Sequence, residues 1–337
     1  MNFFNNNKKI NLVHWILGKK YNIKNDYEYK KLISDYKSRI LMTYRYNFIP
    51  IGNNKLSSDI GWGCMIRSGQ MILAEILLRS LLGRSWRLIK DASKKHYSIA
   101  HKDILEYFLD KPHHKCYFSI HKFSHLGLKF GKKEGDWYGP ETISHVIKDL
   151  VNSNDSINMS VYVTSGSILS KKKLLKFCNK TNFKLFLLIP LRLGLNKVNP
   201  IYHKTLFKFL EMKQSVGIIG GKPRYSLYFV GYNNNDLIYL DPHNVNNSVE
   251  NNKLFPTMKD LESYHSLNLK MININNIDPS LALGFCIKNS VDLEIFFENV
   301  KNIFDNYNPI FELVYEKNKF KLPSNNKNNF DNDWEIL

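Results

Sequence analysis

The clearest hydrophobic pattern in the chain begins at Cys64 and has the period of an α-helix. Apolar residues recur at this spacing after the cysteine, at Ile66, Met71, Ile72, Leu73, Ile76, Leu77, Leu81 and Leu82. The apolar stripe is broad, which predicts a largely buried helix. Gly61 and Gly63 precede it and allow a tight turn into the first helical residue. The pattern therefore places Cys64 on the first turn of a long core helix.

A shorter apolar run, Leu237-Ile238-Tyr239-Leu240, predicts a buried strand that follows a polar turn at residues 233–236. The strand ends in Asp241-Pro242-His243. Because Pro242 has a fixed φ and disfavours the helical conformation for Asp241, we expect this tripeptide to be extended. Residues two apart then project to the same side, so the Asp241 carboxylate should lie beside the His243 ring.

These two patterns supply the groups of a nucleophilic site. The positive end of a helix dipole stabilises a thiolate, which is the reactive form of cysteine. Such a nucleophile needs a base, and the base needs an orienting group. We assign these roles to Cys64, His243 and Asp241. Two alternatives remain open on the residues alone: a buried structural cysteine, and a solvated Asp-Pro turn with an incidental histidine.

Length and composition favour a packed protein with one main domain. The chain has 337 residues, of which 43% are hydrophobic and 13% aromatic. Because no Gly/Ser-rich or Pro-rich linker divides its middle, we expect a single core with a smaller inserted subdomain.

The cysteines favour a reducing compartment. Cys64, Cys116, Cys178 and Cys286 are scattered and form no Cys-x-x-Cys pair. The apolar run Ile10 to Leu17 is too short and too polar for a membrane span or a secretory leader. We therefore expect reduced thiols and a cytoplasmic protein.

The net charge of +18 has three interpretations. Asparagine-lysine runs carry much of it, so the simplest cause is codon bias in an A/T-rich genome. Attraction to anionic lipid surfaces is a functional alternative. Nucleic-acid binding is disfavoured because no motif of that class is found.

Several motifs together resemble the autophagins, autophagy-related cysteine proteases. The similar segments are Trp15–Tyr21, Thr43–Phe48, Gly61–Cys64, Trp137–Pro140, Ile189–Gly194, Gln214–Pro223, Tyr239–His243, Asp278–Ser280 with Gly284-Phe285, and Phe311–Leu313. Their order is the order of the family. The resemblance implies an α+β, papain-like protease domain at residues 10–315. It also implies cleavage after the C-terminal glycine of a ubiquitin-like autophagy modifier, and release of that modifier from phosphatidylethanolamine.

The resemblance further implies roles for individual residues. Tyr44 corresponds to a tyrosine whose hydroxyl stabilises the oxyanion, although an aromatic side chain there could equally belong to the core. Trp137 corresponds to a tryptophan that covers the cysteine together with a loop containing Pro223. Gly220 and Gly221 are expected to give that loop hinge freedom, and the narrow slot would admit glycine only.

Two positions depart from the family pattern. Asn246 stands where a glutamine is common, so a hydrogen bond that supports the histidine loop is expected to be weaker or water-mediated. Ser68 replaces a second cysteine found in many relatives, which removes a redox switch based on that thiol.

One cluster invites a metal interpretation. His113, His114, Cys116, His121 and His125 lie close together, and His121 and His125 could share a helix face. The spacing is irregular and part of the segment matches a family region without metal, so we predict no metal and no cofactor.

The C-terminal residues 316–337 are polar and asparagine-rich, which predicts a disordered tail. It ends in Asp333-Trp334-Glu335-Ile336-Leu337. This pattern is similar to short motifs that bind the same modifiers, with Trp334 and Leu337 filling two apolar pockets and the acidic residues facing a basic rim. The alternative to a protease is thus a catalytically idle protein that captures the modifier.

Overall fold

Helices and strands are mixed along the chain, as expected for an α+β protein. The computed structural model describes residues 12–53, 55–88, 99–179, 184–249 and 258–315. Its helices are α1 Asp26–Lys37, α2 Cys64–Leu81, α3 Ile99–Glu106, α4 Ile120–Gly127, α5 Pro140–Asn152, α6 Lys171–Cys178, α7 His203–Glu211, α8 Met258–Glu262 and α9 Ser290–Asn306. The predicted fold class is confirmed.

The strands form one large sheet and two small ones. They are β1 Leu12–Ile16, β2 Lys19–Ile23, β3 Tyr44–Ile51, β4 Leu56–Ser58, β5 Ser160–Val163, β6 Ile168–Ser170, β7 Leu185–Arg192, β8 Ser215–Lys222, β9 Tyr225–Asn233, β10 Asp236–Leu240, β11 Val245–Asn247, β12 Lys270–Asn273, β13 Ser280–Ile287 and β14 Glu312–Val314. The large sheet has the order β12-β10-β9-β8-β13-β7-β5, and β1 joins it on β9. The small sheets are β11-β3-β4 and β14-β6.

The core lies on both faces of the large sheet. Successive side chains of a strand point to opposite faces, and β9 shows this alternation. Tyr228 and Val230 pack into the cluster that contains α2 and α5. Leu227 and Phe229 pack into the opposite cluster, with α7 and α9. Both faces are therefore covered, which explains why the central strands are apolar throughout.

Helix α2 runs through the first of these clusters. It begins at Cys64, as the spacing predicts, and its side chains are buried from Cys64 to Arg79. Strand β10 likewise contains the predicted run Leu237–Leu240, and the turn before it includes Asn234 with a φ of +50°. The first turn of α2 and the end of β10 therefore lie close together inside the protein.

A buried charge cluster attaches α1 to the segment that follows α2. The Asp35 carboxylate is 0% exposed and accepts hydrogen bonds from Arg84 at 2.8 and 2.7 Å. Arg87 and Arg39 lie 3.1 and 3.4 Å from the same carboxylate. Burial opposes ionisation, but the hydrogen bond from Arg84 and the neighbouring guanidinium charges lower the pKa of Asp35 to about 2. The carboxylate is therefore charged in the folded protein.

Within the ranges given above, no helix is long and apolar enough to cross a membrane. Residues 316–337, including Trp334 and Leu337, lie outside the described residues. The helical region around α3 and α4 shares the core of α2 through Ile104, Phe108 and Phe123. A separate inserted subdomain stays a prediction.

Candidate active site

The site is built around the thiol at the start of α2. Cys64 is the first residue of the helix and is 1% exposed. The indole Nε1 of Trp137 donates a hydrogen bond to its Sγ atom at 3.2 Å. Gly63 precedes it, and a Cβ there would lie 2.2 Å from Asp59 Oδ2. Only glycine fits this approach to the helix, so the turn holds the sulfur at the positive end of the dipole.

Sequence reasoning missed the ion pairs that support this turn. Asp59 is fully buried, and its Oδ1 accepts a hydrogen bond from the Arg45 amide at 2.6 Å. Its Oδ2 accepts one from Arg67 Nε at 2.8 Å, and Arg67 also pairs with Asp110 at 2.9 Å. The backbone carbonyl of Asp59 accepts the Gly63 amide at 2.9 Å. The network ties the nucleophile turn to α2 and to the segment that follows α3.

Asp241 and His243 are paired as predicted, but by a different local structure. Oδ1 of Asp241 lies 2.8 Å from His243 Nδ1 and also accepts the His243 amide at 3.1 Å. The expected extended tripeptide is wrong, because Pro242 and His243 form a turn. An aspartate that bonds the amide two residues on closes an Asx-type turn. This turn, and not strand geometry, brings the carboxylate to the ring.

The two ionisable partners shift each other's pKa. Burial opposes ionisation of Cys64, but the interactions of its sulfur with the His243 imidazole, the Ser226 backbone and the Trp137 indole outweigh burial and lower its pKa. Burial also disfavours the imidazolium, yet the hydrogen bond to Asp241 and the interaction with Cys64 raise the pKa of His243. His243 Nε2 is buried and has no hydrogen-bond partner of regular geometry among the described residues. The arrangement favours a thiolate beside an imidazolium.

Tyr44 is placed at the start of β3, at the edge of the same site. Its ring meets that of His243 edge-on, with centroids 5.3 Å apart. Burial, and then the charge of Cys64 and a hydrogen bond to it, raise the pKa of Tyr44. The phenol is therefore a neutral donor that faces the sulfur. Tyr44 is 5% exposed, so its side chain is buried as well as close to the site.

The residues predicted to form a lid are distributed over two elements. Trp137 covers the sulfur directly and is 38% exposed. Pro223 is exposed in the turn that joins β8 to β9. Gly220 and Gly221 lie in β8 and pair with β9, so the predicted hinge loop is a strand at these positions. Gly221 has a φ of +147°, and a Cβ there would lie 2.0 Å from the Tyr225 carbonyl oxygen, so glycine permits close strand pairing.

The two departures from the family pattern have direct partners. Asn246 Nδ2 donates to Thr43 Oγ1 at 2.9 Å, because β11 pairs with β3. This direct bond joins the segment after His243 to the residue before β3, and the expectation of a weaker or water-mediated support for the histidine loop stays a prediction. Ser68 Oγ lies 2.9 Å from Ser226 Oγ, next to the amide that faces Cys64.

Sequence analysis missed two further side chains at the site. Tyr225 stacks on the His243 ring, with centroids 3.4 Å apart and planes 7° apart. Lys270 Nζ lies 2.7 Å from Asp241 Oδ2. Burial opposes ionisation of Asp241, but its hydrogen bonds to His243 and Lys270 lower its pKa well below the usual range. Both residues come from strands, and only the sheet order brings them to the Asp241–His243 turn.

A cleft of about 590 Å³ adjoins Trp137 and extends toward Thr164 and Arg192. The Thr164 hydroxyl is buried and has no partner among the described residues. The histidine cluster lies elsewhere: His121 Nε2 bonds the Ile49 carbonyl at 2.6 Å. In the part of the chain that the structure describes, no three His, Cys, Asp or Glu side chains group as metal ligands.

An α+β fold with a thiol at the start of a long helix and a histidine–aspartate pair nearby is the arrangement found in papain-like cysteine proteases. The peptidase C54 catalytic domain matches residues 29–299. The chain is 35% identical to cysteine protease ATG4A of Homo sapiens over 332 residues, which cover 89% of this chain and 81% of that protein. It is 35% identical to cysteine protease ATG4B of Xenopus laevis over 327 residues, and the match covers 89% of this chain and 83% of that protein. It is 34% identical to cysteine protease ATG4D of the same species over 330 residues, and that match covers 82% of this chain and 69% of that protein. The chain belongs to the peptidase C54, or autophagin, family of cysteine proteases.

Proposed function

We propose that this protein hydrolyses the bond after the C-terminal glycine of a ubiquitin-like autophagy modifier. The observation that carries the proposal is the Cys64 thiol at the start of α2, with Trp137 over it and the Asp241–His243 pair beside it. Cys64 is the nucleophile, His243 the acid and base, and Asp241 the orienting group. Family membership supports the same assignment.

The reaction follows from the charges of these groups. The Cys64 thiolate attacks the glycine carbonyl carbon, and the carbonyl oxygen becomes an oxyanion that the Cys64 amide and the Tyr44 hydroxyl stabilise. The tetrahedral intermediate collapses as the His243 imidazolium protonates the leaving amine. His243, now neutral, takes a proton from water, and the hydroxide displaces the sulfur. Asp241 keeps the ring oriented and stabilises its charged form throughout.

Glycine specificity is attributed to the cover over the sulfur. The cysteine is 1% exposed, so a substrate must displace Trp137 or pass beneath it. In this proposal the indole and the turn that carries Pro223 bound a slot too narrow for a side chain on the residue that is cleaved. The cleft next to Trp137 offers an extended path for the residues before that glycine.

The same hydrolysis applies to two amide bonds that follow the modifier's C-terminal glycine. Hydrolysis of a peptide extension matures the precursor, and hydrolysis of the amide to phosphatidylethanolamine releases the modifier from a membrane. The net charge of +18 supports transient contact with an anionic surface. Trp334 and Leu337 are proposed to bind the modifier in addition to the cleft. A cytoplasmic location stays a prediction.

The experiment that tests the proposal compares the protein with Cys64→Ala on two substrates, a modifier precursor and its lipidated form on vesicles. Cleavage of both substrates by the parent and of neither by the variant is expected. If the parent binds the modifier but cleaves neither form, the catalytically idle scaffold is the better description. If it cleaves the precursor alone, the lipid-releasing half of the proposal is wrong.

A further inference from the structure

The ring of Tyr225 covers one face of the His243 imidazole. The planes of the two rings are nearly parallel, at an angle of 7°, and their centroids lie 3.4 Å apart. The Tyr225 hydroxyl lies 3.4 and 3.5 Å from the two oxygens of Asp241. One side chain thus contacts both the proposed base and its orienting group.

The position of Tyr225 is set by the β8–β9 hairpin. Tyr225 is the first residue of β9 and pairs with Lys222. The close approach of Gly221 to the Tyr225 carbonyl fixes the backbone at this point. The following residue, Ser226, presents its amide to Cys64. The backbone therefore anchors the ring on the side of the site where the turn with Pro223 also lies.

We propose that Tyr225 is a positioning residue whose ring, by stacking on His243, holds the imidazole beside Cys64. The assignment rests on the proposed function. An aromatic face attracts a cation placed over it, so the stack stabilises the imidazolium more than the neutral ring. It also blocks rotation of the ring away from Asp241. Tyr225 touches no reacting atom in this role.

Several charged and titratable groups surround His243 and together set its pKa. Charged and titratable groups near His243, or near the Asp241 and Tyr225 side chains that contact it, come from seven segments: Cys64 of α2, Tyr44 of β3, Lys222 of β8, Tyr225 of β9, Tyr239 of β10, Asp241 of its own turn and Lys270 of β12. Asp241 and Cys64 favour the imidazolium, whereas Lys270 opposes it. Tyr225 stays neutral because burial and Asp241 raise its pKa to about 12.

The test is the pKa of His243 in three proteins: the parent, Tyr225→Phe and Tyr225→Leu. It is measured by ¹³C NMR of histidine-labelled protein, with the resonance assigned by its loss in His243→Gln. Leucine removes the aromatic face but keeps water from the ring, whereas alanine would admit water and reverse the sign. Tyr225→Leu should lower the pKa of His243 by about 0.5 to 1 unit. Tyr225→Phe, which keeps the ring, should retain the parent value.

A matched control uses a second stacked pair at the other end of β9. Phe207 and Tyr232 stack with centroids 4.5 Å apart, and Tyr232 lies about 23 Å along the strand from Tyr225 at about 3.3 Å per residue. Phe207→Leu should leave the pKa of His243 unchanged. No modifier is needed for these measurements, so they decide the role of Tyr225 even if the proposed substrate is wrong.

An unchanged His243 pKa in folded Tyr225→Leu would overturn the proposal, as would an equal fall in Tyr225→Phe. Loss of thermal stability without a change in that pKa would mean a purely structural role. If the modifier is the substrate, the alkaline limb of kcat/KM should move to lower pH by the same amount in Tyr225→Leu.

Discussion

The replacement Asp241→Asn removes one charge from the centre of the site and little volume. In the structure, Asp241 Oδ1 lies 2.8 Å from His243 Nδ1, and both side chains are largely buried. At an effective dielectric constant of about 20, unit charges at this distance attract by roughly 6 kcal/mol. The amide would lose this attraction and would also leave Lys270 without its partner, since Nζ lies 2.7 Å from Oδ2.

We expect Asp241→Asn to lower kcat by about 10⁴-fold, which the same change produces in serine proteases and which corresponds to about 5.5 kcal/mol. The assay is precursor hydrolysis over a range of pH. Because the carboxylate raises the pKa of His243, its loss should also move the alkaline limb to lower pH. Asp236→Asn is the matched control: Asp236 begins β10, the strand that Asp241 follows, accepts a hydrogen bond from Asn273 at 2.9 Å, and the variant should keep parent activity. A loss below tenfold in a folded Asp241→Asn protein would refute the role of orienting group.

Three further outcomes are expected. Tyr44→Phe should lower kcat by about 10²- to 10³-fold, because the oxyanion loses a hydrogen-bond donor. Tyr46 is exposed on the same strand, so Tyr46→Phe should keep the parent kcat. Equal kcat values for Tyr44→Phe and the parent would exclude the phenol from the reaction. Asp35→Asn should lower the free energy of unfolding by about 3 to 5 kcal/mol, measured by urea titration at neutral pH. The control Asp26→Asn, at an exposed position, should change that free energy by about zero. In the parent, the contribution of Asp35 is present above its unfolded pKa of about 3.9 and is lost as the pH falls toward about 2. Removal of Trp334–Leu337 should slow processing of membrane-bound modifier more than of a short soluble substrate, and equal slowing would contradict the tail motif.

The parts of the site that could be predicted are those marked by a pattern of neighbouring residues in the sequence. A glycine turn followed by an apolar helical stripe placed Cys64 at a helix start, and the structure agrees. The Asp241–His243 contact could also be anticipated, but its cause could not. A sequence with proline after aspartate is compatible with an extended chain and with a turn, and only the hydrogen bond to the His243 amide selects the turn.

Contacts that depend on strand order left no local signal. Lys270 meets Asp241 because β12 pairs with β10, and Tyr225 meets His243 because β9 lies beside β10. Gly220 and Gly221 read as a flexible loop because glycine is common in loops and also where strands approach closely. The buried pair Asp59–Arg67 was likewise hidden, since charged residues are normally assigned to the surface.

The indole that covers Cys64 also sets when the protein is vulnerable to damage. Oxidation of a thiolate requires an oxidant molecule to reach the sulfur, and Trp137 blocks that path in the free protein. On the proposed function, the sulfur is exposed to oxidant mainly while a substrate displaces Trp137 during turnover. Peroxide should consequently inactivate the protein faster in the presence of substrate than in its absence. The extent of inactivation should then depend on the number of catalytic cycles and not on the time of exposure.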